Sequence, residues 1–199
     1  DHGGMTFGTD PIALDELVAR SKQAATRPVI VKLSPNVTSI PAMAKCAESA
    51  GADALSLVNT FVALAIDIEA RRPRIANVTA GLSGPAIKPI AVRMVWEAAN
   101  AVRIPIMGLG GITTPEDAVE FLLAGATAVQ VGTASYADPR AVERIAKGLE
   151  AWCQHPHVEK VAGLIGKLDC SKPEADLAVC RPPCRRPPAA SSAEAPPES

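Results

Sequence analysis

The sequence predicts an α/β fold of the (β/α)8 barrel type, represented by four β/α units. Three observations support this prediction. Short apolar stretches that end on glycine or on polar residues alternate with segments of helical periodicity. Residues 50–57, AGADALSL, resemble residues 124–131, AGATAVQV, and both read as a helix end, a glycine and a strand. Four such units can be counted, which is half of an eight-fold barrel.

The composition argues against several classes of protein. The chain has 199 residues, 48% of them apolar, so it can bury a sizeable core. A formal charge of −1 and only 3% aromatic residues do not favour nucleic-acid binding. No apolar run reaches the roughly 20 residues of a membrane-spanning helix, and the N-terminus lacks a basic and apolar leader. We therefore expect a cytoplasmic protein that binds neither nucleic acid nor membranes.

The first part of the chain alternates between helices and strands, separated by proline and glycine. We expect a loop over residues 1–10, a helix from Asp10 to about Thr26 and a buried strand over residues 29–33. A turn at residues 34–36 follows, and then a helix with its apolar side at Ile40, Met43, Ala44 and Ala47. The next strand spans residues 52–58. Residues 61–84 are too long for a structureless connection. We predict a small hairpin there, with strands near residues 66–68 and 74–76, and a glycine turn at residues 81–84.

The second part contains two strands that both end on glycine. A helix over residues 85–102 precedes a strand over residues 105–109, which ends at Gly110-Gly111. Thr114 then caps a helix, and Gly125 ends it. We expect a buried strand over residues 126–131, Gly132-Thr133 at its end, a helix start at Asp138-Pro139, inward positions at Val142, Ile145, Ala146 and Leu149, and a short helix over residues 158–165.

The prediction divides the chain into two regions. Residues 1–168 form the barrel region, whereas residues 169–199, rich in Pro, Ala, Ser and Arg, are expected to be disordered. Cys170, Cys180 and Cys184 lack the paired spacing of metal ligands, so no metal site is predicted.

Polar side chains and glycines lie at or directly after the ends of consecutive predicted strands. Lys32 ends a strand in which burial of an unpaired ammonium would be costly, so it needs an anionic partner. With it we group Asn59, Thr60, Gly84, Gly110, Gly111, Gly132 and Thr133. Freed backbone N–H groups at such glycines suit a phosphate, so this set predicts a ligand with a phosphate and a planar, hydrogen-bonding body. No residue offers an evident general base, and we interpret Cys46, His2, His155 and His157 as structural or surface residues.

Five segments carry a resemblance to a known family. They are GGMTFGTDP, VIVKLSPNVT, LVNT, ANVTAGLSGPAIKPIAVRMV and IPIMGLGGITTPEDAVEFLLAGATAVQVGTA. From about residue 3 to residue 166 the chain resembles the C-terminal half of class 1B dihydroorotate dehydrogenase, the flavin-containing catalytic subunit of the NAD-linked enzyme of pyrimidine synthesis.

The resemblance implies FMN at the mouth of a barrel and a role for each matching residue. Lys32, Val58 and Gly84 would contact the flavin ring; Gly110, Gly111, Gly132 and Thr133 would bind its phosphate; Asn59 and Thr60 would bind orotate. It also implies a homodimer with a partner subunit that carries FAD and an iron–sulfur cluster and passes electrons to NAD.

The sequence also departs from the family pattern. The family places its catalytic cysteine in an N-x-S-C-P-N segment directly before the GGM loop, whereas this sequence starts at Asp1. We therefore expect the base to lie outside this sequence and the chain alone to be inactive. Two alternatives stay open: the flavin domain of dihydropyrimidine dehydrogenase, which tends toward SGTAIRP where this chain has LSGPAIKP, and a non-catalytic half-barrel that acts in binding or assembly.

Overall fold

The computed structural model describes residues 4–154, 158 and 160–171, with side chains from Phe7 onward. The described strands are β1 Ile30–Lys32, β2 Ala54–Leu57, β3 Phe61–Ala63, β4 Ile66–Asp67, β5 Arg72–Pro73, β6 Ala80–Leu82, β7 Ile106–Leu109 and β8 Ala128–Gln130. The described α-helices are α1 Gly4–Thr9, α2 Pro11–Ala24, α3 Ile40–Ser49, α4 Lys88–Ala99, α5 Pro115–Leu123, α6 Ala134–Ala137 and α7 Ala141–Trp152. Contacts within the chain separate residues Asp1–Leu168 from Asp169–Ser199.

Four strands form one parallel sheet in the order β1-β2-β7-β8. Lys32 pairs with Ser56, Ser56 with Met107, and Leu109 with Gln130. A right-handed β/α crossover precedes each new parallel strand in such folds, and here α3, α4 and α5 occupy those positions. The fold is therefore part of a (β/α)8 barrel, and the predicted fold class is confirmed.

The core lies between the sheet and the helices. Its largest fully buried side chains are Phe121, Leu33, Leu55, Leu57, Ile106 and Val95. The opposite face of the sheet, which is the interior of a closed barrel, is uncovered at its outer strands: Ile30 is 45% exposed, and Lys32 and Gln130 are exposed. The expectation that the strands at residues 29–33 and 126–131 are buried is thus wrong for this face, since no described element covers it.

Most predicted helix starts are confirmed. Asp10 caps α2 by accepting a hydrogen bond from the Ile12 amide at 2.9 Å. Thr114 and Asp117 form a reciprocal capping box at the start of α5. The end of α2 near residue 26 is also close to the observed end at Ala24, and Gly51 and Gly125 follow α3 and α5 with positive φ.

The N-terminal residues differ from the prediction. Residues 1–10 were expected to be a loop, yet α1 spans Gly4–Thr9 and contacts α2. Glycine costs only about 1 kcal/mol relative to alanine in a helix, so contacts with a neighbouring helix can outweigh that local preference.

The excursion between β2 and α4 contains two antiparallel ladders. β3 pairs with β6, and β4 pairs with β5. A hairpin was predicted, but its second strand is Arg72–Pro73 rather than residues 74–76. Asp67 accepts hydrogen bonds from the Glu69 and Ala70 amides, which turns the chain early. Gly81 and Leu82 belong to β6 and not to a turn, because they pair with Val62 and Phe61.

The remaining differences concern helix bounds and exposure. Residues 85–102 form a 3-10 turn, Pro85–Ile87, followed by α4. The last helix starts at Ala141, and its buried residues are Ala141 and Ile145. The expected inward residues Val142 and Ala146 are exposed, since α7 packs on α5 through a narrower stripe. A short 3-10 turn, Val161–Leu164, occupies the predicted final helix. Among the described helices, none is both long and apolar enough to span a membrane.

Candidate functional site

All nine site residues predicted from the sequence line one cavity of about 330 Å³. We call it the glycine cavity; the nine are Lys32, Val58, Asn59, Thr60, Gly84, Gly110, Gly111, Gly132 and Thr133. A second cavity of about 390 Å³ shares Lys32, Asn59 and Thr60 with it, and we call this one the asparagine cavity. Both volumes fall in the usual range of small-molecule sites, and the three shared residues lie where the cavities meet.

The parallel sheet explains why these residues converge. The ladder continues past the strands, since the Val58 amide donates to Leu109 O at 2.9 Å and the Asn59 amide to Leu33 O at 3.2 Å. The carboxyl ends of parallel strands share one edge of a sheet, and the residues that follow them meet there. The peptide bond between Leu57 and Val58 is cis.

Gly110 and Gly111 need to be glycine for the fold itself. Their φ angles are 133° and 79°, values that side chains disfavour. A Cβ atom on Gly111 would lie 2.7 Å from the Gly84 carbonyl oxygen, and one on Gly110 would lie 2.8 Å from the Ala91 Cβ. The β7–α5 loop therefore lies directly against the start of α4.

Gly132 is different, because its backbone does not demand glycine. A Cβ atom placed there would meet no atom within 4 Å, and its φ is not in the positive region. Gly132 nonetheless lines the glycine cavity. A missing side chain there leaves open space beside the cavity for a ligand.

The backbone around these glycines can bind an anion. The N–H groups of Gly110, Gly111, Gly132 and Thr133 donate no hydrogen bond to any residue that the structure describes. Unpaired N–H groups that converge on a concave site favour anionic groups such as phosphate. Thr133 adds a hydroxyl, which donates to Ser83 Oγ at 2.9 Å.

An ion-pair network holds the β7–α5 loop in place. Lys88 Nζ lies 2.7 Å from Asp117 Oδ1 and 2.6 Å from Glu120 Oε1. Asp117 also accepts hydrogen bonds from the Thr113 amide and hydroxyl and from the Thr114 amide. Burial alone would raise the pKa of Asp117, but the hydrogen bonds from Lys88, Thr113 and Thr114 outweigh it and lower that pKa to about 2.

Lys32 supplies the positive charge of the site. It is the only charged side chain among the described residues that line the two cavities. It was expected to be buried, but it is exposed and makes no ion pair with any described residue. An ammonium group without a counter-charge, at the junction of the two cavities, raises the local affinity for anions.

Asn59 and Thr60 present polar atoms to both cavities. Asn59 Oδ1 accepts a hydrogen bond from the Thr60 amide at 2.9 Å, which leaves its Nδ2 group as a donor without a partner among the described residues. Thr60 adds a hydroxyl that can both donate and accept. The pair can therefore recognise a planar ligand that carries carbonyl and N–H groups.

Sequence reasoning missed several residues of these cavities. Ser34 and Asn36 were predicted only as parts of a turn and Gly81 as a turn glycine, yet all three line the asparagine cavity. Tyr136, which is 93% exposed, lies at the glycine cavity and was not singled out. The available signal for Ser34 and Asn36 was their position directly after the Lys32 strand.

The other candidates lie outside the site. Cys46 is on α3, where its thiol donates to Pro11 O at 3.2 Å, and burial raises its pKa. No cluster of three metal-binding side chains occurs among the described residues. His2, His155, His157, Cys180 and Cys184 lie outside the described residues, and so does the tail beyond residue 171.

Comparison with known proteins identifies relatives of this chain. The family model for dihydroorotate dehydrogenase matches residues 1–152. A protein of Pelobacter propionicus named dihydroorotate dehydrogenase B (NAD(+)), catalytic subunit, is 54% identical over 168 residues, which are 84% of this chain and 55% of that protein. A protein of Citrifermentans bemidjiense with the same name is 59% identical over 167 residues, with the same coverage of 84% and 55%.

A third relative has a different name. The Solibacter usitatus protein, a putative dihydroorotate dehydrogenase A (fumarate), is also 59% identical over 167 residues, with 84% and 55% coverage. The chain thus spans about half the length of these curated relatives. Because the family model matches three quarters of its length, the chain belongs to the dihydroorotate dehydrogenase family, and the partial barrel and its cavity agree with this.

Proposed function

We propose that this chain is part of the catalytic subunit of a dihydroorotate dehydrogenase that oxidises (S)-dihydroorotate to orotate in pyrimidine biosynthesis, with FMN as its cofactor. The convergence of these nine residues, which come from separate segments of the chain, on one cavity carries this proposal. Family membership supports the same reaction.

The residues of the glycine cavity fit FMN. The free amides of Gly110, Gly111, Gly132 and Thr133 would hold its phosphate, and the open space beside Gly132 leaves room for it. Lys32, Val58 and Gly84 would contact the flavin ring, with the Lys32 ammonium stabilising negative charge on it. When bound, FMN supplies the chemistry of accepting a hydride from the substrate.

Asn59 and Thr60 would orient the substrate. Dihydroorotate carries ring carbonyl and N–H groups, and the Asn59 amide and Thr60 hydroxyl match both kinds of group. The described lining residues of the two cavities include no cysteine, histidine or carboxylate. In this proposal the described residues therefore bind and orient the reactants, and proton removal belongs to a residue outside this set.

The proposal extends to partners, location and domain organisation. Two relatives are named as catalytic subunits of an NAD-dependent enzyme. We propose a homodimer with a partner subunit that carries FAD and an iron–sulfur cluster and reduces NAD, located in the cytoplasm. Residues 1–168 would form the barrel part and residues 169–199 a tail outside it.

The test uses the complete natural polypeptide that contains this sequence, purified with any co-purifying subunit. We expect bound FMN, a shift of the flavin absorbance spectrum on addition of orotate but not of uracil, and NAD reduction that depends on dihydroorotate. A protein that takes up no FMN, or one that responds to uracil instead, would contradict the proposal. Because a relative is named for fumarate, fumarate is tested as the second electron acceptor.

The 199-residue chain is assayed in parallel. We expect no dihydroorotate oxidation with a dye acceptor, since β1 and β8 have open edges among the described residues and no described element covers one face of the sheet at these strands. Turnover by this chain alone would show that its residues include the proton acceptor.

A further inference from the structure

The side chain of Asn36 bridges the backbone that follows Asn59. Its Nδ2 group donates to Thr60 O at 3.1 Å, and its Oδ1 atom accepts from the Val62 amide at 3.0 Å. These two backbone groups lie on either side of Phe61, at the start of β3. Asn36 thus connects the loop after β1 to the backbone that positions Thr60.

This arrangement imitates a neighbouring strand. The carbonyl of one residue and the amide of the residue two positions later point to the same side of an extended chain, where an adjacent strand would pair with both. Among the described strands, β3 pairs only with β6, on one side, and the Asn36 carboxamide forms hydrogen bonds on the other side at the start of β3. The backbone at the start of β3, directly after Thr60, is therefore held from both sides.

The orientation of Asn36 is itself determined. Ser34 is a buried residue, 9% exposed. Its Oγ atom accepts hydrogen bonds from the backbone amide of Asn36 at 3.2 Å and from the Asn36 Nδ2 group at 3.4 Å. A rotated carboxamide would place oxygen against Thr60 O and nitrogen against the Val62 amide, which would break both bridging contacts.

Gly81 of β6 leaves the space that the Thr60 side chain occupies. A Cβ atom on Gly81 would lie 2.1 Å from Thr60 Oγ1, so the Thr60 side chain lies directly over the backbone of β6. Asn36 and Gly81 both line the asparagine cavity, together with Asn59 and Thr60. Two independent contacts therefore restrict the placement of the Thr60 hydroxyl.

We propose that Asn36 is a positioning residue for substrate binding, which holds Asn59 and Thr60 in the geometry that binds the pyrimidine ring. The proposal rests on the proposed function, because it assumes that Asn59 and Thr60 meet the substrate. Asn36 lines the asparagine cavity and not the glycine cavity, so we do not expect it to contact FMN.

The test compares Asn36→Asp, Asn36→Ala and the control Asn77→Asp in the complete FMN-loaded protein. Asn36→Asp has nearly the same shape and keeps an acceptor for the Val62 amide, but it turns a donor into a repelling oxygen against Thr60 O. Asn77 is exposed in the same excursion, and its side chain makes no hydrogen bond with a described residue, so its substitution adds the same charge without breaking a contact.

We expect both Asn36 variants to raise the orotate Kd and the KM for dihydroorotate about tenfold, the effect of losing one hydrogen-bonded constraint, with FMN content unchanged. Amide hydrogen exchange at Val62 should become faster in Asn36→Ala. Asn77→Asp should behave like the unsubstituted protein.

Two outcomes would overturn the proposal. One is an unchanged orotate Kd in both Asn36 variants; the other is a loss of FMN content that parallels the loss of orotate binding, which would make Asn36 a general structural residue. If the unsubstituted protein binds FMN but not orotate, the substrate assignment is wrong, and the role of Asn36 falls with it. The behaviour of the unsubstituted protein thus separates the two failures.

Discussion

The Nζ atom of Lys88 lies 2.7 Å from Asp117 Oδ1, and this contact joins the first turn of α4 to the first turn of α5. Both groups are mostly buried, with side-chain exposures of 24% for Lys88 and 11% for Asp117. The loop that contains Gly110 and Gly111 runs between these two helix starts, and the Lys88 Cβ lies 3.0 Å from the position a Gly111 Cβ would take. The ion pair therefore positions the proposed phosphate-binding backbone.

The first prediction concerns the stability of the protein at low pH. The folded-state pKa of Asp117 is about 2, below its ordinary value of 3.8. A depressed pKa stabilises the folded state above the unfolded pKa, so this contribution is complete above about pH 5 and is lost as the pH falls through about 2. The shift corresponds to roughly 2 kcal/mol. Urea unfolding measured between pH 7 and pH 2 should show Asp117→Asn losing less stability over this interval than the unsubstituted protein.

Glu116→Gln is the matched control for this experiment. Glu116 lies in the same first turn of α5, is exposed and makes no ion pair with a described residue. Its substitution should leave the pH dependence close to that of the unsubstituted protein. Equal pH profiles for all three proteins would refute the assignment of this acid-sensitive stability to Asp117.

The second prediction is that Gly111→Ala impairs both folding and FMN binding. The positive φ of 79° costs a non-glycine residue about 1–3 kcal/mol, and the added Cβ would lie 2.7 Å from Gly84 O. The loop has to move away from α4, which displaces the amides that line the glycine cavity. We expect a lower midpoint of thermal unfolding and reduced FMN content; a variant with unchanged values of both would contradict this account.

The third prediction is that Gly132→Ala impairs FMN binding alone. The new methyl group would meet no protein atom within 4 Å, so the stability of the FMN-free protein should stay within about 0.5 kcal/mol of the original. The same methyl group would occupy space beside the glycine cavity. Titration of the FMN-free protein with FMN should give at least a tenfold higher Kd. Unchanged FMN affinity would show that the open space at Gly132 serves no ligand.

The fourth prediction is that Lys32→Met weakens binding of anions without destabilising the fold. Lys32 makes no ion pair with a described residue and is exposed, so its charge contributes little to stability. Its loss removes the only charge among the described lining residues, and we expect the Kd of orotate, which carries a carboxylate, to rise about tenfold. Lys45→Met, on the exposed side of α3, serves as the control. An equal loss of orotate affinity in both variants would mean that net charge alone is responsible.

The strand ends could be predicted from the sequence because their signals are local. Glycine and polar residues directly after an apolar stretch mark the end of a strand, and parallel strands bring such ends to one edge. The sequence alone therefore groups Lys32, Asn59 and Gly110 at the strand ends, and the structure brings them into one cavity.

The missed features depend on contacts between distant residues. Asn36 reaches residues 24 and 26 positions further along the chain, and only the paired geometry of β3 shows why an amide is needed there. The burial of α7 likewise depends on how it packs on α5, since its apolar positions alone suggest a wider stripe than Ala141 and Ile145. Periodicity gives the direction of an apolar face but not the area that a neighbour covers.

The fifth prediction is that the ion pair between Lys22 and Asp53, at the amino ends of the strands, contributes to stability and not to ligand binding. Lys22 Nζ lies 2.6 Å from both carboxylate oxygens of Asp53, which also accepts the Val29 amide at 2.7 Å. The hydrogen bond from Lys22, then that from Val29, lowers the pKa of Asp53. Asp53 precedes β2, so this cluster lies at the amino ends of the strands, away from both cavities.

We expect Asp53→Asn to lower the urea midpoint at pH 7 while FMN content and orotate Kd stay unchanged. The control Glu150→Gln, an exposed substitution on α7, should alter none of these three quantities. Because the charged form is the stabilising one, the difference between Asp53→Asn and the unsubstituted protein should shrink as the pH falls below about 4. A raised orotate Kd in Asp53→Asn would show that the two edges of the sheet are coupled, contrary to the separation inferred from their positions.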